Sequence, residues 1–407
     1  MSPDVITYSC LVTAYEKCGQ WERAEAAMEV MAKEGVAPNE FTYSALISAY
    51  AEGGGQWERA EEALEAMREA GLKPNVVTYS ALVSAYEKGG QWARAEAAVE
   101  EMRAEGVQPN VFTYSALVTA YEKDGQWERA EAAMEEMKAA GVRPNDRTYS
   151  ALVSAYASGG EWERAEAAME EMRAERVSPN VVTYSALISA YANGGEWERA
   201  EAAVKEMQTE GVQPNVFTYS ALVTAYEKGG QWERAEAAME EMQAAAGLQP
   251  NQTTYSSLIS AYASGGEWER AEAALEAMQK AGVEANVVTY SALIGAYEKG
   301  GQWARADAAF EDMQTAGLTP NISTYNPLLN LLWQSGRRRR ALELLKRATA
   351  EGVYPPLPLP ERGSCGVAEL DLHGMSAGPA MAAVTAWLAL IDHQEVRAPD
   401  VRRRTHT

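Results

Sequence analysis

A single unit of 35 residues, repeated head to tail, constrains the fold of this chain more than any other feature. Aligned on "TYS", successive units start at Val5, Glu40, Val76, Val111, Asp146, Val181, Val216, Gln252 and Val287, with a divergent tenth at Ile322. Two units run to 36 residues. One holds an extra glycine within Gly53–Gly55 and the other an extra alanine within Ala244–Ala246, both beside an expected helix end, where an added residue costs little. A period of this length marks a solenoid of supersecondary units, none of which buries its apolar face alone. The two or three globular domains that a length of 407 residues would otherwise suggest are set aside.

The unit from Val76 to Asn110 shows the local code. "VTYSALVSAYEK" predicts a first helix, with Tyr79, Leu82 and Tyr86 on one face at i, i+3 and i+7. Gly89 and Gly90 end it, because glycine readily takes the left-handed conformation of a helix exit. "WARAEAAVEEMRAE" predicts a second helix with an apolar stripe of Trp92, Ala95, Val99 and Met102, closed by Gly106 and Pro109. Eighteen of the 20 tyrosines and nine of the 11 tryptophans fall at these repeated sites, which assigns them to the core rather than to a cofactor.

The opposite face of the first helix carries Val77, Ser80 and Ser84, and small hydroxyl residues recur there in the other units (Ser9 and Thr13, Ser44 and Ser48, Ser115 and Thr119). Stacked first helices would align them into a groove whose hydroxyls donate and accept hydrogen bonds, suited to the edge of a flat polar ligand. An asparagine precedes each following first helix. It is a good N-cap, yet nine asparagines in nine units are more uniform than capping alone requires.

With 47% apolar residues the chain has ample material for burial, which excludes intrinsic disorder. Cys10, Cys18 and Cys365 form no CxxC pair and are odd in number, so neither a disulfide framework nor a zinc site is expected. The longest apolar run, Ala380 to Ile391, is too short to span a bilayer. Residues 1–4, "MSPD", match the unit ending "SPN" at Ser178–Asn180 and read as the remnant of a preceding repeat, so a transit peptide would lie upstream.

The unit "VVTYSALVSAYEKGG…A…EEM…GVQPN" resembles the pentatricopeptide repeat family of organellar RNA-binding proteins, over residues 5–356 and about ten repeats. The resemblance implies an all-α, right-handed α-solenoid superhelix followed by a short α/β fragment, and one base of single-stranded RNA read per repeat by two or three side chains. It implies base selection by the residue after "TY" together with the last residue of the repeat. These are Ser9 and Asn39, Ser44 and Asn75, Ser80 and Asn110, Ser115 and Asn145, and Ser150 and Asn180. The series continues with Ser185 and Asn215, Ser220 and Asn251, Ser256 and Asn286, and Ser291 and Asn321. In the family a serine with an asparagine implies adenine, so nine such pairs imply an adenine-rich or poly(A) tract. Ile6, Phe41, Val77, Phe112, Val182, Phe217 and Val288 would wedge between bases, while Arg147 and Thr253 depart from that apolar pattern. The tenth repeat has Asn326 and Pro356 at the selecting sites and reads as a cap. By the same resemblance Lys17, Lys88, Lys123, Lys228 and Lys299 would contact phosphate; Glu52, Ser158, Asn193 and Ser264 replace them elsewhere.

A formal net charge of −22 opposes nucleic-acid binding, whose affinity normally leans on Lys and Arg. Residues 1–321 hold 25 basic and 50 acidic residues, and much of the excess lies on second helices, where Glu128, Glu131 and Glu135 form a stripe expected to face away from the groove. Arg337–Arg340 opens the second helix of the tenth repeat and reads equally as a phosphate patch or a solvated turn. Residues 357–365 form a proline-rich linker. Residues 366–407 read as a strand, a turn at Gly374 and a helix from about Pro379; "LDLHG" resembles the start of a small MutS-related (Smr) domain, truncated before its glycine-rich motif. Asp371 and His373 share one face of that strand, the arrangement a nuclease would use.

The expectation is a monomeric, non-enzymatic binder of A-rich single-stranded RNA, located in chloroplast or mitochondrion, with no cofactor, metal, membrane or small-molecule partner. It would act in RNA stability, processing or translation. A protein-binding scaffold and an RNA endonuclease are the alternatives.

Overall fold

The computed structural model describes residues 4–244, 247–355 and 375–385. Twenty helices form ten antiparallel pairs, and a further helical segment covers residues 377–385; among the described residues there is no strand. The fold is an all-α helical-repeat solenoid. In the third repeat the helices run Val76–Lys88 and Trp92–Ala104, within a residue of the expected bounds.

Two compact units, residues 1–218 and 219–407, divide the contacts. In each, neighbouring first helices pack against one another, and each second helix packs against its own first helix and the next one. The position-four tyrosines Tyr79, Tyr114, Tyr149 and Tyr184 lie fully buried in these seams, with Leu82, Val83, Met102 and their counterparts. Their hydroxyls stay satisfied: Tyr149 donates to Glu171 at 2.9 Å, and Tyr79 accepts from Arg68 at 2.8 Å.

The tryptophans correct the expectation that they form core. Trp57, Trp92 and Trp127 are only half-buried. Each opens a second helix, where one ring edge of Trp57 and of Trp127 reaches the next repeat. The outer face is covered by arginine: Arg59 lies 4.6 Å over Trp21, Arg129 4.8 Å over Trp92 and Arg199 4.8 Å over Trp162. The same guanidinium pairs with a glutamate one repeat back, Arg59 with Glu25 at 2.7 Å and Arg129 with Glu96 at 2.6 Å. Cation–π contact and charge pairing thus share one arginine per seam.

The double glycine divides its labour. Gly90 takes φ +68°, the left-handed exit expected of it. Gly89 does not; a Cβ there would sit 2.4 Å from Cδ1 of Trp57, so this glycine is required for close approach of the preceding repeat's indole. Gly53, Gly159, Gly194, Gly265 and Gly300 meet a tryptophan in the same way.

The glutamate stripe faces away from the groove, as expected, with one difference. Glu128 and Glu135 are exposed, but Glu131 accepts from Arg164 at 2.6 Å and from the Tyr156 hydroxyl at 2.8 Å, so part of the acidic excess fastens repeats together. The Arg337–Arg340 run divides: Arg338 and Arg339 are exposed, as expected of a solvated basic turn, while Arg337 and Arg340 contact the preceding repeat. Arg337 stacks 4.1 Å over Trp303 and Arg340 pairs with Asp307 at 3.0 Å.

The helix expected from about Pro379 begins two residues earlier, at 377, and packs on the tenth repeat. Ser376 donates to Asn330 Oδ1 at 2.9 Å, and Ala382 and Ala383 are fully buried. The strand, Gly374, Asp371, His373, Cys365 and Pro356 lie outside the described residues, as do Ala245 and Ala246 of the second insertion. Cys10 and Cys18 are unpaired and exposed. Among the described residues no acidic, histidine or cysteine cluster could hold a metal ion, and no helix is long and apolar enough to cross a membrane.

Candidate functional site

The site is built from the helix cap outward. Asn110 precedes the first helix of the fourth repeat with extended backbone, and its Oδ1 accepts from the backbone N–H groups of Phe112 at 2.9 Å and Thr113 at 3.0 Å. The Thr113 hydroxyl accepts from the Asn110 N–H at 3.3 Å and donates to Asn110 Oδ1 at 3.1 Å, completing a reciprocal capping box. Asn39, Asn75, Asn145, Asn180, Asn251, Asn286 and Asn321 do the same, and Asn215 makes the equivalent bonds with Thr218. Such a cap contributes about 1 kcal/mol. It consumes only the carbonyl half of the amide; Nδ2, with two donors, stays outside it. At the first repeat Asp4 takes this role, and hydrogen bonds from the Thr7 N–H and hydroxyl hold its carboxyl below the usual range.

Serine reaches the same cluster from the preceding helix. Ser80 Oγ lies 2.7 Å from Thr113 Oγ1, and Ser115 Oγ lies 2.7 Å from Thr148 Oγ1. Ser9, Ser44, Ser150, Ser185, Ser220, Ser256 and Ser291 meet the corresponding threonine of the next repeat at 2.7–2.8 Å. The serines are therefore not loose hydroxyls on a groove wall. Most are buried, while the asparagines are half-exposed or exposed. Threonine three residues into each first helix is the member that sequence reasoning missed. Its signal was present as the unbroken T of "TY", read only as an alignment mark.

Ile6, Phe41, Val77, Phe112, Val182, Phe217 and Val288 stand out on this face, each more than half exposed, the largest being Phe217 at 70%. Exposed apolar side chains repeated in one register mark a contact surface. Val77, Ser80, Ser84, Asn110, Phe112 and Ser115 line one hollow of about 540 Å³. Thr253 is exposed at the same register position.

Arg147 is exposed at the same register position but is ion-paired. It reaches back two repeats to Glu87 at 3.0 Å, and Lys123 meets the same carboxylate at 2.7 Å. Glu87 is almost fully buried, so both cations are held by a carboxylate with little access to solvent. Lys88 pairs with Glu52 at 2.9 Å and Lys299 donates to the Ser264 carbonyl at 2.9 Å. Lys17 is exposed at the end of its helix, and Lys228 ends the first helix of the seventh repeat. The neighbouring Glu16, Glu122, Glu227 and Glu298 have carboxyls pushed above the usual range, chiefly by burial. Lys88, Lys123 and Lys299 thus meet this face already bonded to the preceding repeat.

The tenth repeat breaks the pattern. Asn326 replaces serine, and its Oδ1 accepts from the Tyr354 hydroxyl at 2.8 Å and the Ser376 N–H at 3.3 Å. Gly378 packs so closely that a Cβ would lie 2.4 Å from Asn330 Cα. This position is occupied by the chain itself.

These features define a helical-repeat protein in which seven of the first nine repeats set an exposed apolar side chain beside a Ser/Asn pair, with Arg147 and Thr253 at the apolar position in the other two. The family model described as the pentacotripeptide-repeat region of PRORP matches residues 56–167 and 162–279, the PPR repeat family matches 3–52 and 285–334, and the PPR repeat matches 323–353. The chain belongs to the pentatricopeptide repeat family. None of the curated proteins matches it in a sequence comparison. Among solved structures it is similar to PPR10 in complex with an 18-nt psaJ RNA element, at 24% identity and a TM-score of 0.55, covering 86% of this chain and 61% of that one. PPR10 from maize gives 23% identity and a TM-score of 0.48, covering 86% and 64%. Yeast Rmd9p with a 16-nt target RNA gives 12% and 0.40, covering 96% and 86%. The chain spans less than two thirds of PPR10, and the similarity speaks to fold alone.

Proposed function

We propose that this chain binds single-stranded RNA, one base per repeat, and prefers an adenine-rich tract of about nine nucleotides, one for each Ser/Asn pair. The observation that carries the reading is the recurrence, on one face, of an exposed apolar side chain beside a serine hydroxyl and an outward asparagine amide. The apolar residue is more than half exposed where it stands and suits insertion between bases; the polar pair suits a base edge. The solved PPR10 complex with an RNA element supports the same use of the fold. Binding by a monomer would act through occupancy, stabilising or remodelling an organellar transcript, without catalysis.

Fluorescence anisotropy with ten-nucleotide A, U, C and G homopolymers across a salt series tests the reading. Tight binding of the adenine oligomer with a shallow salt dependence is expected, because Lys88, Lys123 and Lys299 are already engaged. Equal and weak binding of all four would overturn it.

A further inference from the structure

Resting on that reading, we infer that the third-position threonine of each repeat is a positioning residue for the base-reading pair of the repeat before it. It fixes asparagine as the donor and serine as the acceptor, and so selects bases that carry an amino group beside a ring acceptor over bases that carry a carbonyl there.

Donor and acceptor accounting leads to this polarity. A threonine hydroxyl has one proton and two lone pairs. Thr113 Oγ1 faces three groups: the Asn110 N–H, which only donates, the Asn110 Oδ1, which only accepts, and the Ser80 hydroxyl. The arrangement that satisfies all three sends the threonine proton to Oδ1 and takes the serine proton into a lone pair. The i−4 carbonyl of Val76, 2.7 Å from Ser80 Oγ, is a second acceptor for that same serine proton. With the proton turned into the fold, Ser80 offers lone pairs to the hollow. The amide orientation is set independently: Oδ1 faces the backbone N–H groups of Phe112 and Thr113, so Nδ2 faces away from the cap. At Asn180 the Nδ2 group shows this donor character by meeting Asp146 Oδ2 at 3.3 Å.

A donor beside an acceptor matches adenine, which sets a ring acceptor next to its N6 amino group. Hypoxanthine, in which that amino group becomes a carbonyl and N1 carries a proton, reverses the pattern with little change in shape. Threonine is fully buried at nine successive repeats, from Thr42 to Thr324, and nine serines meet it within 0.1 Å of one another's distances. In sequence Thr113 belongs to the fourth repeat; in space it serves the pair Ser80 and Asn110 of the third.

The test is an inosine scan through a nine-adenosine RNA, measured by anisotropy for the wild type and single variants. In the wild type each internal inosine is expected to weaken binding about tenfold, the low end of what one paired base contact discriminates. Thr113→Val should erase that penalty at one nucleotide only, the one at which Ser80→Ala also erases it. Thr148→Val should move the effect by one nucleotide, and Thr113→Ser should restore the wild-type profile. An unchanged profile in both valine variants overturns the inference, as does a loss in Thr113→Val at the nucleotide assigned by Ser115→Ala. A uniform loss at all nine positions would make threonine a purely structural cap and overturn it too. A flat wild-type profile instead defeats the adenine reading itself. Should Thr113→Val fail to fold, Thr148→Val and Thr289→Val carry the same comparison.

Discussion

The two faces of the repeat are conserved along the chain with equal fidelity, but they spend their side chains differently. On the outer face, Trp57, Arg94 and Glu61 satisfy one another: indole against guanidinium, guanidinium against carboxylate. On the groove face, Asn110 uses the carbonyl half of its amide in the cap and Phe112 leaves most of its surface exposed. Uniform repetition therefore does not by itself mark a binding surface. What marks one is repetition of groups whose bonding capacity exceeds what the fold consumes.

The largest effect that would sharpen this contrast lies at high pH. The buried tyrosines have phenols raised by desolvation, Tyr50 and Tyr297 to about 12. Because the folded values exceed the ordinary value of 10, their contribution to stability is complete below pH 10 and is lost as pH climbs from 10 through 12. Cooperative loss of helical circular dichroism should track tyrosinate absorbance across that window. Ionisation of these tyrosines near pH 10 with the helices intact would show that they are not the seam described here.

Next in size is the groove. Replacing Phe41, Phe112 and Phe217 together by alanine should weaken RNA binding by about two orders of magnitude, at roughly 1 kcal/mol per lost stack, while the melting temperature holds. Unchanged affinity would remove these rings from the interface. The mirror experiment is Gly89→Ala, which forces a methyl against Trp57 and should cost about 1–3 kcal/mol in denaturant unfolding without touching base preference. A smaller change is expected from Glu87→Gln, which releases Lys123 and Arg147. The slope of log affinity against log salt should steepen by about 0.7 for each cation that then meets a phosphate. An unaltered slope would mean that neither cation faces the RNA. Arg129→Met on the outer face should leave that slope alone and cost no more than about 1 kcal/mol in stability.

Much of this was legible in the sequence because repetition averages out local ambiguity. The helix bounds around Val76–Lys88, the N-caps, and the exposure of Ile6 and Phe112 all follow from spacing, capping chemistry and amphipathic phase. What escaped was contact between repeats. Nothing local distinguishes Gly89 from Gly90, although one admits an indole and the other turns the chain. The half-burial of tryptophan depended on an arginine from the next repeat, and the engagement of Lys123 on a glutamate from the previous one. Ser80 looked like an open hydroxyl because its partner, Thr113, lies 33 residues away. Periodicity reveals what each unit contains, whereas the bonds that decide availability cross from one unit to the next.

The seating of serine against the following repeat's threonine has a consequence for counting. A row of nine panels needs ten posts, and the ninth panel here, Ser291 with Asn321, hangs on Thr324 of the tenth repeat. On the function proposed above, the final repeat, with its own serine position already filled by Asn326, Tyr354 and Ser376, would serve as an end post rather than a spare reader. Cutting the array at a repeat boundary would remove one unit of sequence and leave the letter before it half-framed. Anyone lengthening or shortening such an array gains or loses letters only when the post beyond the last one is kept.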